Sequence, residues 1–217
     1  MIYPGRDESL APVHDPLRLQ AVQTRYGFRA PYVLYLGTLH PRKNLVRLVQ
    51  AFAHLVSQSS DTTYPLAELQ LVLAGQKGWL YDEVFAEVRR CGLEGRVVLT
   101  GYVADGDLAA LLSGAEALAF PSLYEGFGLP VLEAMACGVP VVCSSTSSLP
   151  EVAGDAALLV DPLDVEAIAS ALLRVVTDGD LRRELVGRGL VRARRFSWRR
   201  CAQEAMAALE QAVRAAH

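Results

Sequence analysis

Lysine is almost missing from this sequence. Of 21 basic residues in 217, 19 are arginine and two, Lys43 and Lys77, are lysine. A basic excess is missing too: Asp+Glu number 24 and the net charge is -3, so a nucleic-acid partner is disfavoured. No run of about 18 uninterrupted apolar residues occurs, and no membrane span is expected. The opening MIYPGRDESL has no apolar core of a signal peptide. The four cysteines, Cys91, Cys137, Cys143 and Cys201, form no CxxC pair. They are expected to be buried free thiols in a reducing, cytoplasmic setting. The four histidines, His14, His40, His54 and His217, show no metal-ligand spacing. His54 reads as structural. There is no G-x-G-x-x-G after any expected strand, no P-loop and no G-x-S-x-G elbow, which disfavours dinucleotide dehydrogenases, P-loop enzymes and serine hydrolases.

What is present is a globular composition. Hydrophobic residues make up 52% and charged ones 21%, with Gly 17 and Pro 11, enough apolar content for a sizeable core. The length suits one domain of ordinary size or at most two small ones. Residues 1–30 are Pro-containing and mixed, and read as a linker followed by a short helix near 16–26. From residue 31 a different pattern begins. Short apolar runs at 31–36, 69–74, 96–100, 116–120, 139–144 and 157–160 end at Gly, Pro, Ser or Asp and predict buried strands. Between them, apolar residues recur at helical spacing, most clearly Leu45, Leu48, Val49, Phe52 and Leu55, and again Val165, Ile168, Leu172 and Val175. This alternation predicts an α/β fold, a doubly wound parallel sheet covered by helices, over 31–178. Residues 179–217 are helical and Arg-rich, and their charges read as a solvated helix face.

In such a sheet ligands bind beyond the carboxyl ends of the strands. Both lysines fall in loops at that rim, Lys43 after the first strand and Lys77 after the second, which favours an anionic ligand. The loop 121–133, PSLYEGFGLPVLE, is the richest. Gly126 and Gly128 before Pro130 would let a phosphate approach free amides at a helix start, although a plain tight turn gives the same pattern. Glu125 and Glu133 bracket that turn, and a carboxylate can accept hydrogen bonds from a vicinal diol. Either glutamate taken alone is equally well a solvated or dipole-favoured carboxylate.

These segments together resemble the carboxyl-terminal half of a retaining GT-B glycosyltransferase of family 4, the group 1 transferases. The resemblance rests on YLGTLHPRKNL (35–45), LVLAGQKGW (71–79), the stretch 97–142 and SLPEVAGDAALLVDP (148–162). Two glutamates with seven residues between them, around GFGLP, are that family's signature. The resemblance implies that Lys43 and Arg42 neutralise a donor diphosphate. Glu125 would contact the transferred sugar, and Glu133 the ribose. Backbone at Gly126, Phe127, Gly128 and Leu129 would hold phosphate and sugar oxygens, and Gly37 and Thr38 would line the donor. Tyr102 and Val103 would border the base, with Lys77 near the nucleotide. Many relatives have arginine where Thr38 stands, and Arg42 is assigned that charge. Neither metal nor cofactor is expected. Cations and backbone donors can stabilise a departing diphosphate electrostatically. The expected activity is transfer of a hexosyl group, mannosyl at the level of subgroup, from a nucleoside-diphosphate sugar. The acceptor would be bound by an amino-terminal GT-B half, in cis or in trans. A non-catalytic nucleotide-sugar-binding module, one part of a split enzyme, and a sugar-nucleotide epimerase are the alternatives.

Overall fold

The computed structural model describes residues 2–58, 63–79 and 81–215. Six strands form one parallel sheet: β1 (Tyr32–Leu36), β2 (Gln70–Ala74), β3 (Val97–Gly101), β4 (Ala117–Phe120), β5 (Val141–Ser144) and β6 (Ala157–Val160), in the spatial order 3-2-1-4-5-6. The central runs YVLYL, QLVLA, ALAF and VVCS are buried almost throughout, because helices cover both faces. β3 and β6 have equally apolar sequences but lie at the two edges, and both are partly exposed.

Nine helices are described: α1 (Pro16–Tyr26), α2 (Leu45–Ser57), α3 (Asp82–Arg90), α4 (Asp105–Ser113), α5 (Leu129–Ala136), α6 (Leu149–Ala153), α7 (Val165–Thr177), α8 (Gly179–Ala193) and α9 (Trp198–Ala215). Helix α2 buries Leu45, Leu48, Val49, Phe52 and Leu55, the stripe expected from spacing. It packs on α7, which buries Ile168, Ala169, Leu172 and Val175. His54 closes that contact by pairing with Glu166 at 2.5 Å. Helix starts follow the local sequence: Asp15, Asp164 and Asp178 each accept amides of the first turn. Helix α9 is amphipathic but buries none of its residues.

Two of the four cysteines depart from expectation. Cys137 and Cys143 are buried, whereas Cys91 and Cys201 are only partly covered, because they sit at the end of α3 and in the exposed helix α9. Burial pushes the Cys137 thiol up to about 11 and the Cys143 thiol up to about 12.

The strand order decides where a ligand can sit. β1 is followed outward by β2 and β3, while β4, β5 and β6 build on its other side. The chain leaves β1 and β4 in opposite directions, so a crevice opens beyond their carboxyl ends. Residues 37–44 and 121–128 meet there.

Candidate functional site

The segment after β1 forms a single 3-10 turn, Pro41–Lys43. Pro41 suits its first position, and the His40 imidazole accepts the Arg42 amide at 3.3 Å. Asn44 then adopts a left-handed backbone, φ 61°, which an asparagine tolerates better than most residues. Its side-chain amide donates to Pro121 O at 3.0 Å and to Pro162 O at 2.6 Å, and its Oδ1 accepts from Arg47 at 3.0 Å. The Leu123 amide adds a bond to Arg42 O at 2.8 Å. Loops from three strands are thereby tied together around one buried asparagine, and the register of Lys43 against the 121–128 loop is fixed.

Within that register Lys43 and Glu125 form a buried ion pair. Lys43 Nζ bonds one Glu125 oxygen, and Arg42 donates to the other at 2.9 Å and to Tyr124 O at 2.9 Å. The ammonium also lies 5.1 Å from the centroid of the Phe120 ring, which stacks on Tyr35 at 6.0 Å. Burial pushes the Glu125 carboxyl upward, but the bonds from Lys43 and Arg42 help to outweigh it and hold the group below the ordinary glutamate range. Two cations against one carboxylate leave the cluster with a surplus positive charge, at the crevice where an anion would enter.

The neighbouring loop runs alongside. Leu39 donates to Gln76 O at 3.0 Å and Gly78 to Leu39 O at 3.1 Å, so 37–40 and 75–78 lie side by side. Gly75 sits at φ 147° with its backbone against Gly37 O, where a side chain would collide with main chain. Gly37 and the exposed Thr38 lie on this shared ridge. Lys77 is exposed and rests 5.2 Å from the Tyr81 ring centroid and 5.5 Å from that of Phe85. A cavity of about 310 Å³ opens beside the 3-10 turn, lined in part by His40, Asn44, Arg47, Tyr81 and Leu123.

The remaining candidates lie after β3, in the turn that follows Glu125, and on α5. Tyr102, exposed, donates to Asp105 at 3.2 Å, and Val103 is buried beside it at the end of β3. Gly128 has φ 107° and begins α5, with Leu129 and Pro130 as its first residues. The Phe127 ring does not face the cations but packs with Tyr3 and Phe196 at 6.3 and 5.8 Å. Glu133 is half-buried in the second turn of α5. Its carboxylate has no hydrogen bond or ion pair among the described residues. Burial first, and then the Asp7 carboxylate, push its pKa up. The structure thus joins Lys43, Arg42 and Glu125 in one cluster, with Gly37, Thr38 and Lys77 on the adjoining ridge. Glu133, Tyr102 and Val103 make no hydrogen bond or ion pair with the cluster. Asn44 and the serines at 144–148, which hold the 121–128 loop, were not singled out by sequence patterns. Asn44 was the more legible of the two, as an Asn immediately preceding a helical stripe. No group of three His, Cys, Asp or Glu side chains among the described residues could hold a metal ion.

A family model described as "Glycosyl transferases group 1" matches residues 25–190. The chain belongs to the group 1 glycosyl transferases, glycosyltransferase family 4. Among group 1 relatives, the O-antigen chain mannosyltransferase B of Escherichia coli is 47% identical over 170 residues, covering 78% of this chain and 43% of that enzyme. A sucrose-phosphate synthase from Thermosynechococcus elongatus superposes with a TM-score of 0.79 at 30% identity, over 99% of this chain and 52% of that one. The C-terminal domain of a group 1 family protein from Francisella tularensis superposes with a TM-score of 0.70 at 23% identity, over 84% of this chain and 93% of that domain. This group 1 chain therefore has the fold of the carboxyl-terminal GT-B half and spans less than half the length of the E. coli mannosyltransferase. Among its described helices none is long and apolar enough to cross a membrane.

Proposed function

We propose that this chain is the donor-binding half of a retaining mannosyltransferase, holding a nucleoside-diphosphate mannose at the crevice between β1 and β4. The observation that carries the reading is the Lys43–Glu125–Arg42 cluster at the topological switch point of the sheet. The 47% identity to an O-antigen mannosyltransferase supports mannose as the sugar.

In this reading the diphosphate enters against Lys43 and Arg42, whose surplus charge is available to it. Arg42, the more exposed of the two, exchanges its carboxylate partner for phosphate oxygens. Lys43 keeps Glu125 ionised, so that Glu125 accepts hydrogen bonds from hydroxyls of the sugar. The developing charge on the departing diphosphate is met by the two cations and by amides of the 126–129 turn, groups already in place before reaction. Glu133 accepts the ribose hydroxyls, and the Tyr102–Val103 corner borders the base. An amino-terminal half supplies the acceptor.

Calorimetric titration of the chain with GDP and UDP tests this. The expected result is heat from one of them that disappears in Glu133→Ala and falls sharply in Lys43→Ala. Equal binding by all three proteins removes the site assignment.

A further inference from the structure

Five hydroxyl residues in a row, SSTSS at 144–148, run from the end of β5 to the start of α6, and four of them bond to the 121–128 loop. Ser144 Oγ donates to Ser122 O at 2.6 Å and Thr146 Oγ1 to Leu123 O at 3.3 Å. The Glu125 amide donates to Ser147 Oγ at 3.1 Å. The single Ser148 O–H is shared between two carbonyls in a bifurcated bond, Glu125 O at 3.0 Å and Phe127 O at 2.8 Å. Ser147 holds a left-handed backbone, φ 55°, to make this possible. Glu125 is thus fixed at its amide, its carbonyl and both carboxylate oxygens.

Ser148 stands at the N-cap position of α6, where a serine ordinarily accepts an amide of its own helix. Here it makes no cap bond and spends its hydroxyl on the neighbouring loop instead. The peptide bonds after Glu125 and Phe127 are trans, since the sole cis bond of the described chain precedes Pro31. In a trans peptide the carbonyl and the following N–H point to opposite sides. Drawing the carbonyls of Glu125 and Phe127 toward Ser148 therefore turns the N–H groups of Gly126 and Gly128 away from it. Neither N–H has an acceptor among the described residues. The Phe127 side chain, packed with Tyr3 and Phe196, keeps the residue between them from rotating.

We infer that Ser148 is a positioning residue that aims the amides of Gly126 and Gly128 at the phosphates of the donor. This rests on the donor site proposed above and adds a residue outside it. The hydroxyl touches no ligand. It acts by fixing two peptide planes.

The test compares Ser148→Ala, Ser148→Thr and Ser148→Val in the full chain, titrated by NMR with GDP and UDP and with guanosine and uridine. Thr and Val have nearly the same volume and differ by the hydroxyl, so that pair carries the comparison if Ala fails to fold. The expected result is a loss of about tenfold in diphosphate affinity for Ala and Val, the size of one hydrogen bond, with nucleoside affinity unchanged and Thr within about twofold of the parent. Equal loss for nucleoside and diphosphate means general loosening and overturns the inference. So does unchanged diphosphate affinity in Ala and Val while the parent binds. If the parent binds neither diphosphate, the donor site itself fails and the inference fails with it.

Discussion

Replacing Lys43 by methionine keeps most of the side-chain volume and removes the ammonium from a pair in which Lys43 is 8% and Glu125 7% exposed. Breaking one partner out of a buried ion pair costs about 3–5 kcal/mol, because the other charge is left uncompensated. Arg42 still bonds the second Glu125 oxygen at 2.9 Å, so the lower end applies, about 3 kcal/mol. For a chain of this size that lowers Tm by about 6–12 °C. Urea unfolding at neutral pH measures it directly. The pH dependence follows from the sign of the Glu125 shift. A carboxylate whose folded pKa is depressed contributes stability above its unfolded pKa, about 4.3, and loses it as the pH falls through the folded value. The gap between parent and Lys43→Met should therefore be full at neutral pH and shrink in acid. Lys43→Met/Glu125→Gln should recover part of the loss, since neither charge is then stranded. A gap below about 0.5 kcal/mol at neutral pH would refute the reasoning, as would a gap that does not change with pH.

Further outcomes follow from the same geometry. Glu133 has its pKa raised by burial and by Asp7, so ionising it costs the folded state stability as the pH rises through the folded value. Glu133→Gln should raise Tm at neutral pH while weakening nucleoside-diphosphate binding, and thermal melts beside titration separate the two effects. Asn44→Gly keeps the left-handed backbone but strands two buried carbonyls, for a loss of about 2 kcal/mol in urea unfolding. Asn44→Ala should lose about 1 kcal/mol more through strain. A thiol reagent applied to the native protein should label Cys91 and Cys201 well before Cys137 and Cys143, with all four reacting in guanidinium.

The sheet was legible because buried parallel strands are apolar along their whole length and stop at turn residues. The runs at 31–36 and 69–74 appear as β1 and β2, each one residue shorter. Edge position was not legible: RVVLT and ALLV read like central strands, and only the order of pairing shows β3 and β6 at the margins. At the site, Lys43 and Glu125 stood out through residue type and loop position, and the fold brings them into contact. What holds them was hidden. The bonds donated by the Asn44 side-chain amide and those of Ser144–Ser148 to the 121–128 loop span from about 20 to nearly 120 residues, and no periodicity records such contacts. Phe127 likewise gave no sign that its ring turns toward Tyr3 and Phe196, because that contact depends on the N-terminal segment and the α8–α9 junction meeting there.

Amide shift mapping with GDP-mannose and UDP-glucose tests the location of the donor most directly. For the sugar nucleotide that binds, the account predicts perturbations concentrated at 37–43, 75–79, 102–103 and 125–133. Perturbations concentrated instead at the cavity lined by Tyr3, Arg192, Arg195 and Arg200, or none with either compound, would contradict it.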